Sequence, residues 1–515
     1  MLFSTYTFLL FFLPLVLTGY FLLGRFNWRW SMVWLTLSSL LFYAWWKPDP
    51  SQPWNPWFVF LIIMSCGANF LCGNSIARSD KALTRKLLVA AGVTVNILLL
   101  IYYKYLGIFS VWSNAATGFP AEIPTLVMPL AVSFFTFLQI AFLVDVYRGD
   151  KTGYNFTDYL LFVTFFPHLV AGPLVHHREL ISQFKPKVTR FSSRCFAIGL
   201  TVLAIGLFKK VIVADNLAET ATPIFQFAAD GTRALTMGEA WVGALAYTFQ
   251  IYFDFSGYSD MAIGISYLFG LKLPLNFNSP YKATSVIDFW RRWHMTLSRF
   301  LRDYLYIPLG GNRKGSVRRY SNLMTTMLLG GLWHGAGITF VLWGLLHGLY
   351  LCINNAWIGL RKKLGWKPMP KFLAITITFL AVVFAWVPFR AGNYELASFG
   401  NARLAWDVTA NFYQGMIIPQ DAPLWTPPSG DSIMKFKRAV RPIAYALIIA
   451  FFLPNTQQFL GRFSPHFREK HEPSPARRRW WSWRPTPLNA GLAFLLFLIV
   501  TLEIDRGGEF IYFQF

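Results

Sequence analysis

Long stretches without a single charged residue recur along this chain, and they constrain its fold more than any other feature. Lys, Arg, Asp and Glu are absent from residues 2–24, 30–46, 57–77, 87–103, 126–144 and 488–502, among others. A helix crosses a bilayer with about 20 apolar residues, and only helices or closed barrels satisfy their backbone polar groups in lipid. The pattern predicts an all-α, polytopic helical membrane protein with about 11–13 membrane segments by this length rule.

The charge balance indicates contact with a membrane surface. Only 14% of the 515 residues are charged, and the formal net charge is +23. In a soluble protein such an excess of Lys and Arg would indicate nucleic-acid binding. In a membrane protein, basic residues collect in cytoplasmic loops, where they set the orientation and meet anionic lipid headgroups. Arg25 and Arg29 follow the first run, which places the N-terminus outside. We therefore expect membrane lipids and no nucleic acid as partners.

The segments between the apolar runs are too short to form a separate soluble domain, so one transmembrane domain is predicted over residues 1–515. Prolines and polar residues mark two extramembrane loops within it, 391–433 and 461–484.

The four cysteines lack the spacing of zinc sites or disulfide frameworks. Histidines and carboxylates also lack metal-binding spacing in the apolar runs, so we predict no metal site.

A basic segment in the middle of the chain differs from the apolar runs around it. Residues 281–320 contain nine Lys or Arg and two acids. Ser285 and Asp288 are helix-starting residues, and the helical pattern continues to about Ile307, with His294 on its apolar face. Such a segment is typical of the cytoplasmic interface, where its charge would attract an anionic donor. Topology alone explains the same charges equally well.

His334 lies within a stretch that has no charged residue from 321 to 360. An ionisable side chain at membrane depth indicates a functional site, and imidazole exchanges protons near neutral pH. Gly330, Gly331, Gly335 and Gly337 surround it, which favours a broken helix that presents the imidazole to a cavity. The alternative is close helix packing through small residues around a histidine with a structural role.

Other ionisable residues in apolar sequence favour structural interpretations. His347, thirteen residues after His334, is typical of a hydrogen-bonded histidine in helix packing. Asp145, Asp254 and Asp260 could relay protons, but neighbouring basic residues and serines make structural pairing or capping at least as good an explanation.

Several motifs together resemble the membrane-bound O-acyltransferase (MBOAT) superfamily, in particular its bacterial polysaccharide branch, which includes alginate- and cellulose-acetylating proteins. The resemblance runs nearly end to end and is carried by five motifs: Phe289-Trp290-Arg291-Arg292-Trp293-His294-Met295-Thr296-Leu297-Ser298, Leu332-Trp333-His334-Gly335, Tyr252-Phe253-Asp254-Phe255-Ser256-Gly257-Tyr258-Ser259-Asp260, Val170-Ala171-Gly172-Pro173 and Phe510-Ile511-Tyr512-Phe513-Gln514-Phe515.

The resemblance implies a ring of tilted helices around a central tunnel, in the bacterial inner membrane. It implies that His334 is catalytic and that His294 is its partner position. No bound cofactor is expected, and acetyl-CoA or another acyl thioester is the expected donor. The acetyl group would cross the membrane to periplasmic acetyltransferase partner proteins, which complete the O-acetylation of an exopolysaccharide of the alginate or cellulose type.

We hypothesise from these residues that His334 is the general base for an acceptor hydroxyl that attacks the thioester carbonyl. His294 would orient the reactants or help to hold the developing charge. A transporter or proton-coupled channel would also use intramembrane His and Asp, but the internal repeats frequent in transporters are not found in the sequence. An enzyme that acylates a lipid or a protein with a longer chain is a further alternative.

Overall fold

The structure is a computed structural model that describes residues 2–45, 56–117, 127–150, 153–397, 402–418, 425, 436–467, 482–504, 508 and 510–511. The extended regular structure within these residues is helical throughout, and strand-like pairing is limited to one isolated bridge between Pro274 and Phe467. The prediction of an all-α polytopic protein is confirmed.

The first half of the described chain contains ten α-helices. They are α1 Leu13–Phe26, α2 Trp28–Ala44, α3 Trp57–Arg78, α4 Ala82–Thr117, α5 Val132–Tyr147, α6 Phe156–Thr164, α7 Phe166–Leu169, α8 His177–Ile181, α9 Ser193–Leu207 and α10 Asp215–Asp230. A π-helical turn, Thr7–Phe12, leads into α1, and a second one, Phe208–Ala214, joins α9 to α10. A 3-10 turn lies at Pro186–Thr189.

The second half of the described chain contains ten more. They are α11 Met237–Leu268, α12 Val286–Trp290, α13 Met295–Leu301, α14 Gly315–His334, α15 Ile338–Lys363, α16 Lys371–Ala397, α17 Ala402–Ile417, α18 Phe436–Phe451, α19 Thr456–Phe459 and α20 Pro487–Glu503. A 3-10 turn at Pro280–Lys282 precedes α12, and a π-helical turn at Arg302–Tyr306 follows α13.

Six helical segments in the described part of the chain are long and apolar enough to cross a bilayer. They are Thr7–Phe26, Trp57–Arg78, Ala82–Leu106, Ser193–Asp230, Ile338–Lys363 and Lys371–Tyr394. The predicted number of 11–13 is not reached by this criterion. Some apolar runs form shorter helices such as α6, and others lie inside the bundle rather than against lipid.

Helix α11 forms the centre of the molecule, because nearly every side chain along it is buried. It packs most closely against α9, and glycines make the approach possible. A Cβ atom at Gly264 would lie 2.6 Å from the backbone nitrogen of Leu203, and one at Gly206 would lie 2.7 Å from the carbonyl oxygen of Gly257. Small residues bring membrane helices into such backbone contact.

The helix predicted from Ser285 to about Ile307 is wrong in one respect, because it is interrupted at residues 291–294. At the break the backbone makes two hydrogen bonds to a neighbouring loop: the nitrogen of Asn278 donates to the carbonyl of Arg292 at 2.9 Å, and that of Met295 to the carbonyl of Asn276 at 2.9 Å. The interruption separates α12 from α13 and leaves His294 between them.

The extramembrane loop predicted at 391–433 is also wrong for part of its length. Residues 402–417 form α17, which packs against α10, α11 and α16 and buries Ala405, Val408 and Phe412 completely. Its apolar residues recur at helical spacing but are diluted by polar ones, as in a helix with one buried face. The loop predicted at 461–484 lies mostly outside the described residues.

Candidate functional site

His334 is the last residue of α14, and the chain leaves the helix at Gly335 in an extended conformation. Both flanking glycines lie where α14 meets α15. A Cβ atom at Gly331 would lie 2.3 Å from the carbonyl oxygen of Phe340, and one at Gly335 would lie 2.2 Å from the Phe340 ring. The glycines therefore allow close helix packing, as one sequence interpretation predicts. The helix also ends at His334, as the broken-helix interpretation predicts.

The His334 imidazole is surrounded by aromatic rings and is 5% exposed. The rings of Trp343 and Phe389 meet it edge-on, with centroids at 5.1 and 5.0 Å, and Trp333 lies at 4.8 Å. An aromatic enclosure removes water and strengthens any electrostatic interaction at the imidazole. Such an environment suits a general base, because bulk water does not compete for the imidazole nitrogen.

His294 is held in a left-handed backbone conformation, with φ of +40°, in the break between α12 and α13. Its Nδ1 atom lies 3.0 Å from Oδ1 of Asn276. The same oxygen accepts hydrogen bonds from the backbone nitrogen and the hydroxyl of Thr296. Since this oxygen acts as an acceptor throughout, Nδ1 of His294 is the donor, and the neutral imidazole carries its lone pair on Nε2.

Three of the sequence motifs meet at this Asn276 side chain. Its amide nitrogen donates to the hydroxyl of Ser259 on α11 at 3.3 Å. The hydroxyl of Thr296 accepts a 2.9 Å hydrogen bond from the backbone of Leu174, which directly follows the Val170–Pro173 motif. Gly172 allows that turn, because a Cβ atom there would lie 2.4 Å from Cα of His168. The motifs therefore converge to position His294.

The structure brings the two predicted histidines into one buried region. Lys104 donates to the carbonyl of His334 at 2.9 Å, and the Trp343 ring contacts both His334 and His347. Aromatic packing joins the two motifs as well: Trp293 packs on Trp386 with centroids at 4.9 Å, and Trp386 packs on Phe389, which touches His334. Burial lowers the pKa of His294, which lies outside the six spans, to about 3. This imidazole is therefore neutral at neutral pH.

His347 is fully buried on α15, as expected for helix packing. Its ring stacks on Phe289 at 6.0 Å and meets Trp343 edge-on at 4.8 Å. Neither ring nitrogen has a hydrogen-bond partner within the described residues. The packing role expected for His347 is therefore observed through aromatic contacts, and its hydrogen bond stays a prediction.

A cavity of about 570 Å³ lies beside the histidine motif. Met295 and Thr296, which follow His294, are part of its wall, together with Trp290 and several basic residues of the segment 281–320. The described wall includes neither His294 nor His334. The cavity thus reaches the hydrogen-bond network around Asn276 and stops short of the imidazoles.

Three arginines line this cavity, and they differ in how their charge is compensated. Arg299 forms a bidentate ion pair with Glu179, with contacts of 2.6 and 3.0 Å. Arg302 pairs with the adjacent Asp303 at 2.7 Å. Arg291 has no ion-pair partner within the part of the chain that the structure describes. Its guanidinium is available to an anionic ligand in the cavity.

The carboxylates singled out in the sequence are all paired. Asp254 contacts Lys210 at 2.9 Å, and Asp260 contacts Lys209 and Thr456 at 2.5 and 2.6 Å. Asp145 accepts a 2.7 Å hydrogen bond from Tyr304. The lysine pairs of Asp254 and Asp260 support the structural interpretation over the proton relay, whereas the Tyr304 and His176 contacts of Asp145 fit both.

Asp145, Asp150 and His177 form a group that could hold a divalent cation, because one ligand atom from each lies within 4.8 Å of the others. The guanidinium of Arg178 lies 2.9 Å from Asp150 and supplies positive charge there. Burial lowers the pKa of His177 to about 4, although two carboxylates oppose the effect. The expectation of no metal site stays a prediction.

Lys104 and Tyr105 are neighbours of His334 that sequence reasoning missed. The Lys104 ammonium donates to the carbonyls of Trp333 and His334, and the Tyr105 hydroxyl donates to the carbonyl of Leu332. An isolated lysine directly after the charge-free run 87–103 was the available indication, since an ionisable residue at membrane depth points to a functional site.

Comparison with known proteins identifies the family. The model of the MBOAT, membrane-bound O-acyltransferase, family matches residues 57–391, a segment that contains both histidine motifs. This chain belongs to the membrane-bound O-acyltransferase family. It is therefore a multi-pass membrane acyltransferase, and the family inferred from the sequence motifs is confirmed.

Individual relatives narrow the branch of the family. Peptidoglycan O-acetyltransferase of Helicobacter pylori is 43% identical over 425 residues, which cover 77% of this chain and 78% of the relative. A probable alginate O-acetylase of Pseudomonas aeruginosa is 42% identical over 409 residues, with 77% and 73% covered. Teichoic acid D-alanyltransferase of Streptococcus thermophilus is 28% identical over half of this chain. The membrane-bound O-acyltransferase described here thus falls in the bacterial branch that modifies polysaccharides.

Proposed function

We propose that this acyltransferase moves an acetyl group from a cytoplasmic thioester donor across the bacterial inner membrane for O-acetylation of an exopolysaccharide of the alginate or cellulose type. The burial of His334 at a helix end enclosed by aromatic rings, which aromatic packing connects to the His294 motif, is the observation that carries the proposal. Two relatives are named for O-acetylation of a cell-surface or extracellular polymer, which supports an acetyl group and a glycan acceptor.

In the proposed reaction, His334 accepts the proton of an acceptor hydroxyl that enters from the periplasmic side. The oxygen attacks the thioester carbonyl, the carbon–sulfur bond breaks, and the departing thiolate takes the proton back from His334. The products are an O-acetyl ester and a free thiol, so the imidazole returns to its neutral form. General base catalysis of this kind contributes roughly 10²–10⁴-fold to the rate.

His294 would orient the reactants rather than hold the developing negative charge. The bond from Nδ1 to Asn276 leaves a lone pair on Nε2, and a lone pair accepts a hydrogen bond but cannot stabilise an oxyanion. Of the two roles expected for His294, orienting the reactants and holding the developing charge, the tautomer supports the first.

The donor would approach through the cavity beside Met295 and Thr296. Its basic wall suits a thioester that carries phosphate groups, such as acetyl-CoA, or an acidic carrier protein. No cofactor is required, because the donor itself brings the activated acyl group. Periplasmic acetyltransferase partner proteins would then pass the acetyl group to the polymer.

The experiment that tests this function measures ester-linked acetate on extracellular glycan in cells whose own copy of the gene is deleted. Cells that carry the wild-type protein should restore the acetate, and cells that carry His334→Ala should not. The variant must be present in the membrane at the wild-type level. Near-normal acetylation by His334→Ala would overturn the proposal, as would a failure of the wild-type protein to acetylate any glycan.

A further inference from the structure

Lys104 lies inside the span Ala82–Leu106, where an ammonium group is costly unless the protein supplies partners. No carboxylate pairs with it within the described residues. Its partners are backbone carbonyls instead: it donates to Trp333 and, at 2.9 Å, to His334. Tyr105, the next residue of α4, donates to the carbonyl of Leu332.

These three carbonyls are the ones that α14 itself leaves without partners. The last four carbonyls of an α-helix lack intrahelical donors unless the following chain provides them. Gly335 donates back to Gly331 at 3.4 Å, and the chain then departs in an extended conformation. Lys104 and Tyr105 donate hydrogen bonds to the remaining three carbonyls. The ammonium also meets the negative end of the helix dipole, which favours a cation.

We propose that Lys104 and Tyr105 are positioning residues for His334, which hold the last three carbonyls of α14 and thereby fix the backbone that carries the imidazole. The inference rests on the proposed role of His334 as the base. Neither residue is assigned a part in bond making, because both act on the main chain of 332–334.

The packing of Trp333 adds to this fixation. The ammonium of Lys104 lies 5.8 Å from the centroid of the Trp333 ring, and that ring stacks on Phe137 of α5 at 5.1 Å. Phe137 in turn stacks on Phe300 of α13 at 4.2 Å. The last turn of α14 is therefore held between α4, α5 and α13. This packing also fixes the position of His334, the residue that follows Trp333.

Loss of the ammonium would leave two buried carbonyls unpaired and the helix end able to shift. A displacement of about 1 Å in a catalytic group costs on the order of 10²-fold in rate. We therefore expect Lys104→Met to lower kcat by about 10²-fold without changing KM for the donor. Lys104→Arg should recover much of kcat, because a guanidinium restores the charge and the donors. Tyr105→Phe should lower kcat less, because one neutral donor is lost.

The test measures thiol release from acetyl-CoA by the purified full chain in lipid nanodiscs, with water in place of the acceptor hydroxyl, so that the products are acetate and the free thiol. Matched controls are Lys272→Met and Tyr6→Phe, which remove an ammonium and a phenol that also donate to backbone carbonyls, of Ser464 and Thr501. Both controls should keep the wild-type kcat. If Lys104→Met only lowers the yield of folded protein, with normal kcat for the folded fraction, the positioning role is overturned.

Hydrogen–deuterium exchange separates this inference from the proposed function, because it needs no turnover. Peptides that cover residues 330–340 should exchange faster in Lys104→Met than in Lys272→Met. Equal exchange in the two variants would overturn the positioning role even if acetyl-CoA were turned over. If the wild-type protein released no thiol, the donor assignment would fail, and faster exchange in Lys104→Met would still support the positioning role.

Discussion

His294 has a backbone conformation that few residue types adopt, and this limits what can replace it. Its φ of +40° lies in the left-handed region, where Asn and His are enriched among residues with a side chain. The hydrogen bond from Nδ1 to Asn276 fixes the ring orientation as well. Backbone and side chain together define where Nε2 points.

His294→Asn should therefore preserve more activity than His294→Ala. Asparagine tolerates the left-handed conformation and keeps a polar group near the same place, whereas alanine strains the backbone and removes the group. We expect a loss of about 10-fold for Asn and about 10²-fold for Ala, the order of magnitude for reactants misplaced by about 1 Å. The measurement is kcat for acetyl-CoA turnover. Equal rates for the two variants would contradict the orienting role.

A substitution of Arg291 tests whether the cavity of about 570 Å³ binds the proposed thioester donor. It lines the cavity without an ion-pair partner in the described structure, so Arg291→Gln should weaken donor binding. We expect KM for acetyl-CoA to rise about tenfold while kcat stays unchanged, as for a contact made equally in ground and transition states. Arg403→Gln, at an exposed arginine of α17, is the matched control. An unchanged KM in Arg291→Gln would place the donor elsewhere.

The sequence alone predicted some features of these residues and not others. His334 could be singled out because its charge-free, glycine-rich surroundings are local. The contacts of Lys104 could not be predicted, because they join positions 230 residues apart. The tautomer of His294 also depends on Asn276, which reaches it only through the folded loop.

At the scale of elements, helix breaks arose from tertiary contacts that override local preference. The stretch from Ser285 to Ile307 has helix-forming residues throughout, yet its backbone pairs with residues 276–278 at the break. Conversely, the sequence of α17 predicts a loop, because polar residues dilute a buried face that is only evident once α10 and α11 lie against it. Long apolar runs, in contrast, predicted helices reliably.

The α14–α15 hairpin carries His334, and its close packing depends on Gly344. A Cβ atom there would lie 2.5 Å from the carbonyl oxygen of Met327 and 3.1 Å from Cα of Leu328. Gly344→Ala should therefore lower the free energy of unfolding by about 1–3 kcal/mol. Thermal unfolding in detergent measures the effect.

Gly359 offers the matched control on the same helix. Nothing lies within 4 Å of a Cβ atom at this position. Gly359→Ala should leave stability unchanged or raise it by up to about 1 kcal/mol, since alanine has the higher helix propensity. If both substitutions had the same effect, the backbone contact between α14 and α15 would not be the reason for Gly344.

At the scale of the whole molecule, buried charged residues attach residues 510 and 511 to the central helix α11. Lys210 contacts Asp215 at 2.6 Å and Asp254 at 2.9 Å, and Asp254 accepts a 3.1 Å hydrogen bond from the backbone nitrogen of Ile511. The Phe510 ring lies 4.8 Å from the same ammonium. Phe510 and Ile511, the first two residues of the closing motif, therefore act as a structural attachment to α11.

Asp254→Ala should destabilise the whole protein, because it leaves the Lys210 ammonium buried with part of its compensation removed. Breaking a buried ion pair costs about 3–5 kcal/mol. The exposed Asp407, which pairs with Arg403 on α17 at 3.9 Å, is the control, and Asp407→Ala should change stability by about 0.5 kcal/mol or less. Unfolding in detergent measures both. A small effect at Asp254 would show that the attachment is not a major source of stability.

The most direct test of the central claim compares two buried histidines in one assay. Purified wild-type protein, His334→Gln and His347→Gln are placed in nanodiscs with acetyl-CoA, water takes the place of the acceptor hydroxyl, and the initial rate of thiol release is measured. The account predicts that His334→Gln loses about 10²–10⁴-fold and that His347→Gln stays within about tenfold of wild type, since only His334 acts as the base. A folded His334→Gln variant that kept its rate within about tenfold would contradict the account.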